Sequence, residues 1–213
     1  LDGARLSGAS WRTIPHNDVQ ALKALLHRHA NGASSPTAIV VVEGVYSMDG
    51  DCAPLAPIMN ACSRHGALLI VDDAHGTGTV ASDGRGSVAD AGLPALHEHL
   101  VQIGTLSKAL GGQGGFVAGP QSLINLLSSR ARTFLFDTGL APPLCASALA
   151  ALRILQDDPQ RTVTLQARAQ SLRTLLRSKN YQVLGEMSVP ILPVLTGSAE
   201  RALQASQALL QLG

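Results

Sequence analysis

An apolar run at residues 67–71 leads without interruption into Asp72-Asp73-Ala74-His75-Gly76-Thr77-Gly78. Its length and branching are those of a central strand covered on both faces, and the glycines loosen the backbone that follows. Two acids and an imidazole are therefore predicted at the carboxyl end of a strand, the edge where open α/β sheets bind ligands. An aspartate after a strand also caps turns, so this stretch alone leaves catalytic and structural readings open. A second β-branched run, residues 38–43, reads as another fully buried strand and is followed by the turn Ser47-Met48-Asp49-Gly50-Asp51. Between the two runs, Pro54 starts a helical pattern in Leu55, Ile58, Met59 and Cys62 that Gly66 closes. Strand, helix and strand at this spacing form a βαβ unit, so the strands are predicted parallel, with Ser47 and Asp72 at one sheet edge.

The remaining pattern extends the same architecture. Asn17 or Asp18 can cap a helix carrying Val19, Leu22, Leu25 and Leu26, which residues 31–36 end. Residues 100–105 form a further strand, and residues 115–119 a short one. Then come a helix over 120–132, a strand over 133–136 and a helix over 142–156. Asp157-Asp158-Pro159 reads as a boundary, followed by a long helix to Lys179, a strand at 190–195 and a helix at 198–212. The expected fold class is α/β, a mostly parallel central sheet with helices on both faces. Residues 1–157 read as a large domain and residues 158–213 as the beginning of a small C-terminal α/β domain.

With 15% charged residues and a formal net charge of +1, the chain has neither a nucleic-acid footprint nor a polybasic membrane patch, which leaves small-molecule chemistry. No apolar run is long enough to span a bilayer, and the first residues do not resemble a signal peptide, so a cytoplasmic protein is expected. Cys52, Cys62 and Cys145 are too few and too far apart for a zinc knuckle or a disulfide framework and are expected to be packing residues. The pairs His27/His29 and His97/His99 sit two residues apart and do not share a helix face, so no metal is assigned to them.

The strand at 100–105 delivers Thr105-Leu106-Ser107-Lys108, and Lys108 is the only formally charged residue between 100 and 129. A lysine in so apolar a stretch is expected to be desolvated, which favours the neutral, nucleophilic amine. The glycines of Gly111-Gly112-Gln113-Gly114-Gly115 let backbone approach a ligand, although they lack the ending of a nucleotide P-loop. An acid, an imidazole, hydroxyls and one amine at a single sheet edge are the set that pyridoxal phosphate requires. A divalent metal held by Asp72, Asp73 and His75 is the rival; it leaves Lys108 without a task.

The motifs Glu43-Gly44-Val45-Tyr46-Ser47-Met48-Asp49-Gly50-Asp51, Asp72-Asp73-Ala74-His75-Gly76-Thr77-Gly78, Gly84-Arg85-Gly86 and Thr105-Leu106-Ser107-Lys108-Ala109-Leu110-Gly111 resemble those of the α-oxoamine synthases, fold type I pyridoxal-phosphate transferases. The form around His75 is most similar to the branch that condenses L-alanine with a pimeloyl thioester in biotin biosynthesis. The resemblance implies that Lys108 is the Schiff-base lysine and general base and that Asp72 is the partner of the pyridine nitrogen. His75 is implied as donor to the phenolic oxygen, Thr105 as a phosphate ligand and Ser47 as a further cofactor contact, while Asp73 is structural. It also implies a homodimer in which Thr138 reaches the partner's substrate site. The family's ring-stacking histidine and carboxylate-gripping arginine would fall before Leu1 and after Gly213. The chain is therefore expected to be a fragment lacking both ends and inactive alone.

Overall fold

The computed structural model describes residues 2–31 and 37–213. The elements are α1 (Asp2–Leu6), α2 (Val19–Ala30), β1 (Ile39–Glu43), α3 (Leu55–Arg64), β2 (Leu68–Asp72), α4 (Ser87–Asp90), β3 (Leu100–Thr105) and β4 (Gly115–Ala118). They are followed by α5 (Gln121–Arg130), α6 (Arg132–Leu135), α7 (Pro142–Asp157), α8 (Gln160–Ser178) and α9 (Ala199–Leu212). The sheet order is β1-β2-β3-β4, with the first three strands parallel and β4 antiparallel to β3. Glu43 pairs with Asp72, and Asp72 with Ile103, so the three parallel strands end at one edge.

The βαβ unit forms because α3 buries Leu55, Ile58, Met59, Ala61 and Cys62 against the sheet. Leu69 and Val71 of β2 and Leu22 and Leu26 of α2 complete that core. Asp18, rather than Asn17, caps α2, accepting from Ala21 N–H at 2.9 Å. Asn17 instead adopts φ 54° and donates its amide to Asp51 Oδ2 and Cys52 O, each at 3.0 Å. The break expected over 31–36 lies outside the described residues except for Asn31, the C-cap of α2.

Four expectations need correction. The 38–43 strand is not fully buried: β1 is at the sheet edge, and Ile39 and Val41 are 59% and 56% exposed on the face away from the α2–α3 core. The segment at 133–136 is helical, because Phe134 and Leu135 N–H donate back to Ala131 O and no strand among the described residues lies alongside it. A short apolar run cannot by itself distinguish these outcomes. The strand at 190–195 is reduced to the single bridge Val183–Val194. Around that bridge Leu184 N–H donates to Pro193 O and Leu195 N–H to Gln182 O, each at 2.9 Å, while Arg173, fully buried on α8, donates its guanidinium to Leu184 O, Val189 O and, within 190–195, Ile191 O. Of the cysteines, Cys62 is buried as expected, whereas Cys145 is exposed.

Candidate active site

Parallel strands place their following loops side by side, and here that brings Lys108, after β3, to His75, after β2. Lys108 Nζ lies 2.8 Å from His75 Nε2. An ammonium can only donate, so in that state Nε2 accepts and the ring carries its proton on Nδ1. Desolvation by burial, reinforced by the Lys108 charge, lowers the His75 pKa against the opposing pull of Glu43 and Asp72. The imidazole is therefore held neutral. Lys108 itself is exposed, contrary to the dry environment expected from its neighbours, because the loop carries it out past the end of β3.

The two adjacent aspartates have different surroundings. Asp72, half-buried at the end of β2, accepts from Ala74 N–H at 3.1 Å. Asp73 is 2% exposed and accepts from Ser87 N–H at 3.1 and 3.2 Å, from the Ser87 hydroxyl and from Thr77 Oγ1 at 3.5 Å. Three glycines from two loops enclose it. A Cβ at Gly76 would lie 2.0 Å from Asp73 Oδ1, one at Gly86 1.9 Å from Oδ2, and one at Gly44 2.6 Å from Oδ1. Asp73 therefore ties the loops together.

Burial pushes the Asp73 carboxyl up to about 6, against the hydrogen bonds from Ser87 and Thr77 that lower it. A carboxyl with a raised folded-state pKa favours folding most below its unfolded value and loses that contribution as pH rises through the folded value. Relative to Asp73→Asn, the wild-type chain is thus expected to lose about 3 kcal/mol of stability between roughly pH 4 and 7. Urea midpoints of the two proteins across that window measure it, and parallel curves would show that Asp73 does not titrate there.

At the end of β3, Thr105 Oγ1 is 2.7 Å from Ser107 Oγ and accepts from Ser107 N–H at 3.1 Å. Thr105 therefore brings a second hydroxyl with it. Ser107 was not singled out from sequence, although its spacing from Thr105 is that of a local hydroxyl-to-backbone turn. Ser47 is exposed on the turn after β1, where its N–H donates to Glu43 Oε2 at 3.1 Å. Thr138 stands apart: its N–H donates to Asp137 Oδ1, and among the described residues no hydrogen bond joins it to Lys108, His75 or Asp72. The metal rival fails on geometry, because Asp73 faces Ser87 and the glycines. Among the described residues, the one group of three side chains that could share an ion is His16, Asp49 and Asp51.

The aminotransferase class I and II model matches residues 1–212. The chain is 42% identical over 211 residues to the 8-amino-7-oxononanoate synthase of Methylocella silvestris, covering 99% of this chain and 57% of that protein. It is 41% identical over 213 residues to the enzyme of the same name from Anaeromyxobacter dehalogenans strain 2CP-1, covering 100% and 52%. The chain thus spans about half the length of these curated relatives. Among solved structures, a serine palmitoyltransferase from S. paucimobilis with a bound PLP–myriocin adduct superposes with TM-score 0.84 at 30% identity, over 93% of this chain and 50% of that one. The 8-amino-7-oxononanoate synthase of Francisella tularensis superposes with TM-score 0.80 at 25% identity, over 99% and 59%. With its family pattern running from end to end and its parallel strands delivering an amine, an imidazole and an acid to one edge, the chain belongs to the aminotransferase class I and II family.

Proposed function

We propose that the chain carries the cofactor site of a pyridoxal-phosphate-dependent C-acyltransferase of the α-oxoamine synthase type. The reaction is the decarboxylating condensation of L-alanine with a pimeloyl thioester to 8-amino-7-oxononanoate, a step of biotin biosynthesis. The observation that carries this reading is the 2.8 Å pairing of Lys108 with His75. On pyridoxal phosphate the aldehyde and the phenolic oxygen are neighbouring ring substituents, so groups serving them must themselves be neighbours. Bound there, the cofactor supplies an electron sink for charge developing at the α-carbon of the amino acid.

The protein's groups then have separate tasks. Lys108 would hold the aldehyde through its amine and would serve as the base for the α-proton of the amino acid. Neutral His75 holds the phenolic oxygen. Asp72 keeps the pyridine nitrogen protonated through a charge-assisted hydrogen bond. Thr105, Ser107 and backbone N–H groups of the following loop would hold the phosphate, and Ser47 would make a further contact with the cofactor. Residues 1–157 are the cofactor-domain portion and residues 158–213 open the small domain. The proposed active form is a cytoplasmic homodimer, with Thr138 reaching the partner's site. The exposure of Phe134, Phe136 and Leu140 beside Thr138 supports an interface there. No helix among the described residues is long and apolar enough to cross a membrane.

Identities of 41–42% to the two curated synthases support alanine and pimeloyl thioester, and the 30% identical serine palmitoyltransferase keeps serine with another thioester as the second reading. The test has two stages. The chain should take up pyridoxal phosphate in a form fixed by borohydride, and in the protein carrying the flanking sequence of its relatives, alanine with pimeloyl thioester should outrun glycine or serine with other thioesters. A preference for serine or glycine would move the chain to another α-oxoamine synthase. Asp72→Asn in that protein is expected to keep the cofactor and to slow α-proton exchange of alanine roughly ten- to a hundredfold. Exchange at the wild-type rate would remove Asp72 from its role.

A further inference from the structure

The last third of the chain grips two of the loops that carry the site, and we infer that Glu186 is a positioning residue that locks the Ser47 turn for cofactor binding. This rests on the pyridoxal-phosphate reading above. On its own, the turn is held by the antiparallel bridge between Val45 and Cys52 and by two backbone bonds. Tyr46 N–H donates to Asp51 O and Gly50 N–H to Tyr46 O, each at 2.9 Å.

Glu186 closes the other side of this turn. Its N–H donates to Gly50 O at 2.9 Å, and its Oε1 accepts from Cys52 N–H at 2.9 Å, across 134 residues of sequence. Main chain and side chain of one residue thus pin two points of the turn that carries Ser47. Glycines permit the approach. A Cβ on Gly185 would lie 2.7 Å from Gly50 O, and one on Gly50 would lie 2.6 Å from Ile191 O, with φ of 83° and 66° respectively.

Beneath the clamp, Val45, Val80 and Val189 are buried together, with Cys52 and Ile191 against them. Val80 belongs to the loop that follows His75, and there Gln166 of α8 donates to Thr79 O at 3.0 Å. One C-terminal segment therefore sets the spacing of the Ser47 turn and the His75 loop. Burial and the nearby Glu186 carboxylate push the Cys52 thiol up to about 12, so it remains protonated and neutral beside that carboxylate. The side chain of Glu186 thus holds the turn through Cys52, accepting from its N–H with the neutral thiol beside the same carboxylate.

The test uses the 213-residue chain, pyridoxal phosphate followed by its absorbance, and amide hydrogen exchange over residues 45–52. Glu186→Ala is expected to weaken cofactor binding about tenfold, the scale of one lost hydrogen bond to a charged group, and to speed exchange in the turn. Glu186→Gln keeps an oxygen able to accept from Cys52 N–H and is expected to restore both readouts. Wild-type affinity and exchange in Glu186→Ala would overturn the inference, as would a loss that Gln does not rescue. If the wild-type chain takes up no pyridoxal phosphate, the cofactor reading fails by itself. Exchange then decides the clamp, and unchanged exchange in Glu186→Ala overturns it.

Discussion

Replacing Lys108 by alanine is expected to abolish borohydride-trappable attachment of pyridoxal phosphate while leaving the fold intact. Only an amine forms with the cofactor's aldehyde an imine that borohydride fixes, and at this sheet edge Lys108 is the amine that meets His75. Removing an exposed side chain leaves no core cavity, so the stability change should stay within about 0.5 kcal/mol. Lys23 on α2 and Lys179 at the end of α8 remain in the variant as internal controls. Peptide mapping after borohydride reduction is the measurement. A pyridoxyl group found on Lys23 or Lys179 in the wild-type chain would overturn the assignment, whatever the variant's activity.

The second large effect is expected far from the chemistry. Arg173→Met should cost about 3 to 5 kcal/mol, because it keeps the bulk of a buried side chain and strips the donors from several carbonyls at once. Arg173 is fully buried and serves Leu184 O, Val189 O and Ile191 O, while Arg177 donates to Val183 O nearby. Those carbonyls lie along residues 183–191, the stretch that carries Glu186. Without the guanidinium they must find water or stay unpaired, and the segment carrying Glu186 should loosen first. The urea midpoint measures the total, and hydrogen exchange over 183–195 its location. A loss under about 1 kcal/mol would mean that water replaces the guanidinium at little cost.

Much of the architecture is written in local pattern. The βαβ unit, the helices at α2, α3, α7, α8 and α9 and the strand ends carrying Asp72 and Thr105 all follow from periodicity, caps and glycines. The errors have a common cause. Residues 133–136 and 190–195 are short apolar segments whose local sequence does not say whether a neighbouring strand exists to take their backbone groups. In the first, the chain turns back on Ala131; in the second, pairing stops at the Val183–Val194 bridge and Arg173 of α8 takes Ile191 O.

What the sequence determined by itself is the kind of chemistry and the edge where it gathers. Strand length places Asp72, His75, Thr105 and Lys108 after parallel strands, and parallel strands share an end. Tertiary structure decided how those groups are surrounded. Asp72 and Asp73 are the same residue type side by side, but adjacent residues at a strand end point in opposite directions. Asp73 therefore goes to the cradle of Gly44, Gly76, Gly86 and Ser87, and Asp72 is left at the site. The apolar neighbours of Lys108 suggested a dry amine, yet the loop carries it out to solvent and onto His75. Glu186 gave no signal in its own neighbourhood, because a hydrogen-bond partner 134 residues away is set by folding and not by spacing along the chain.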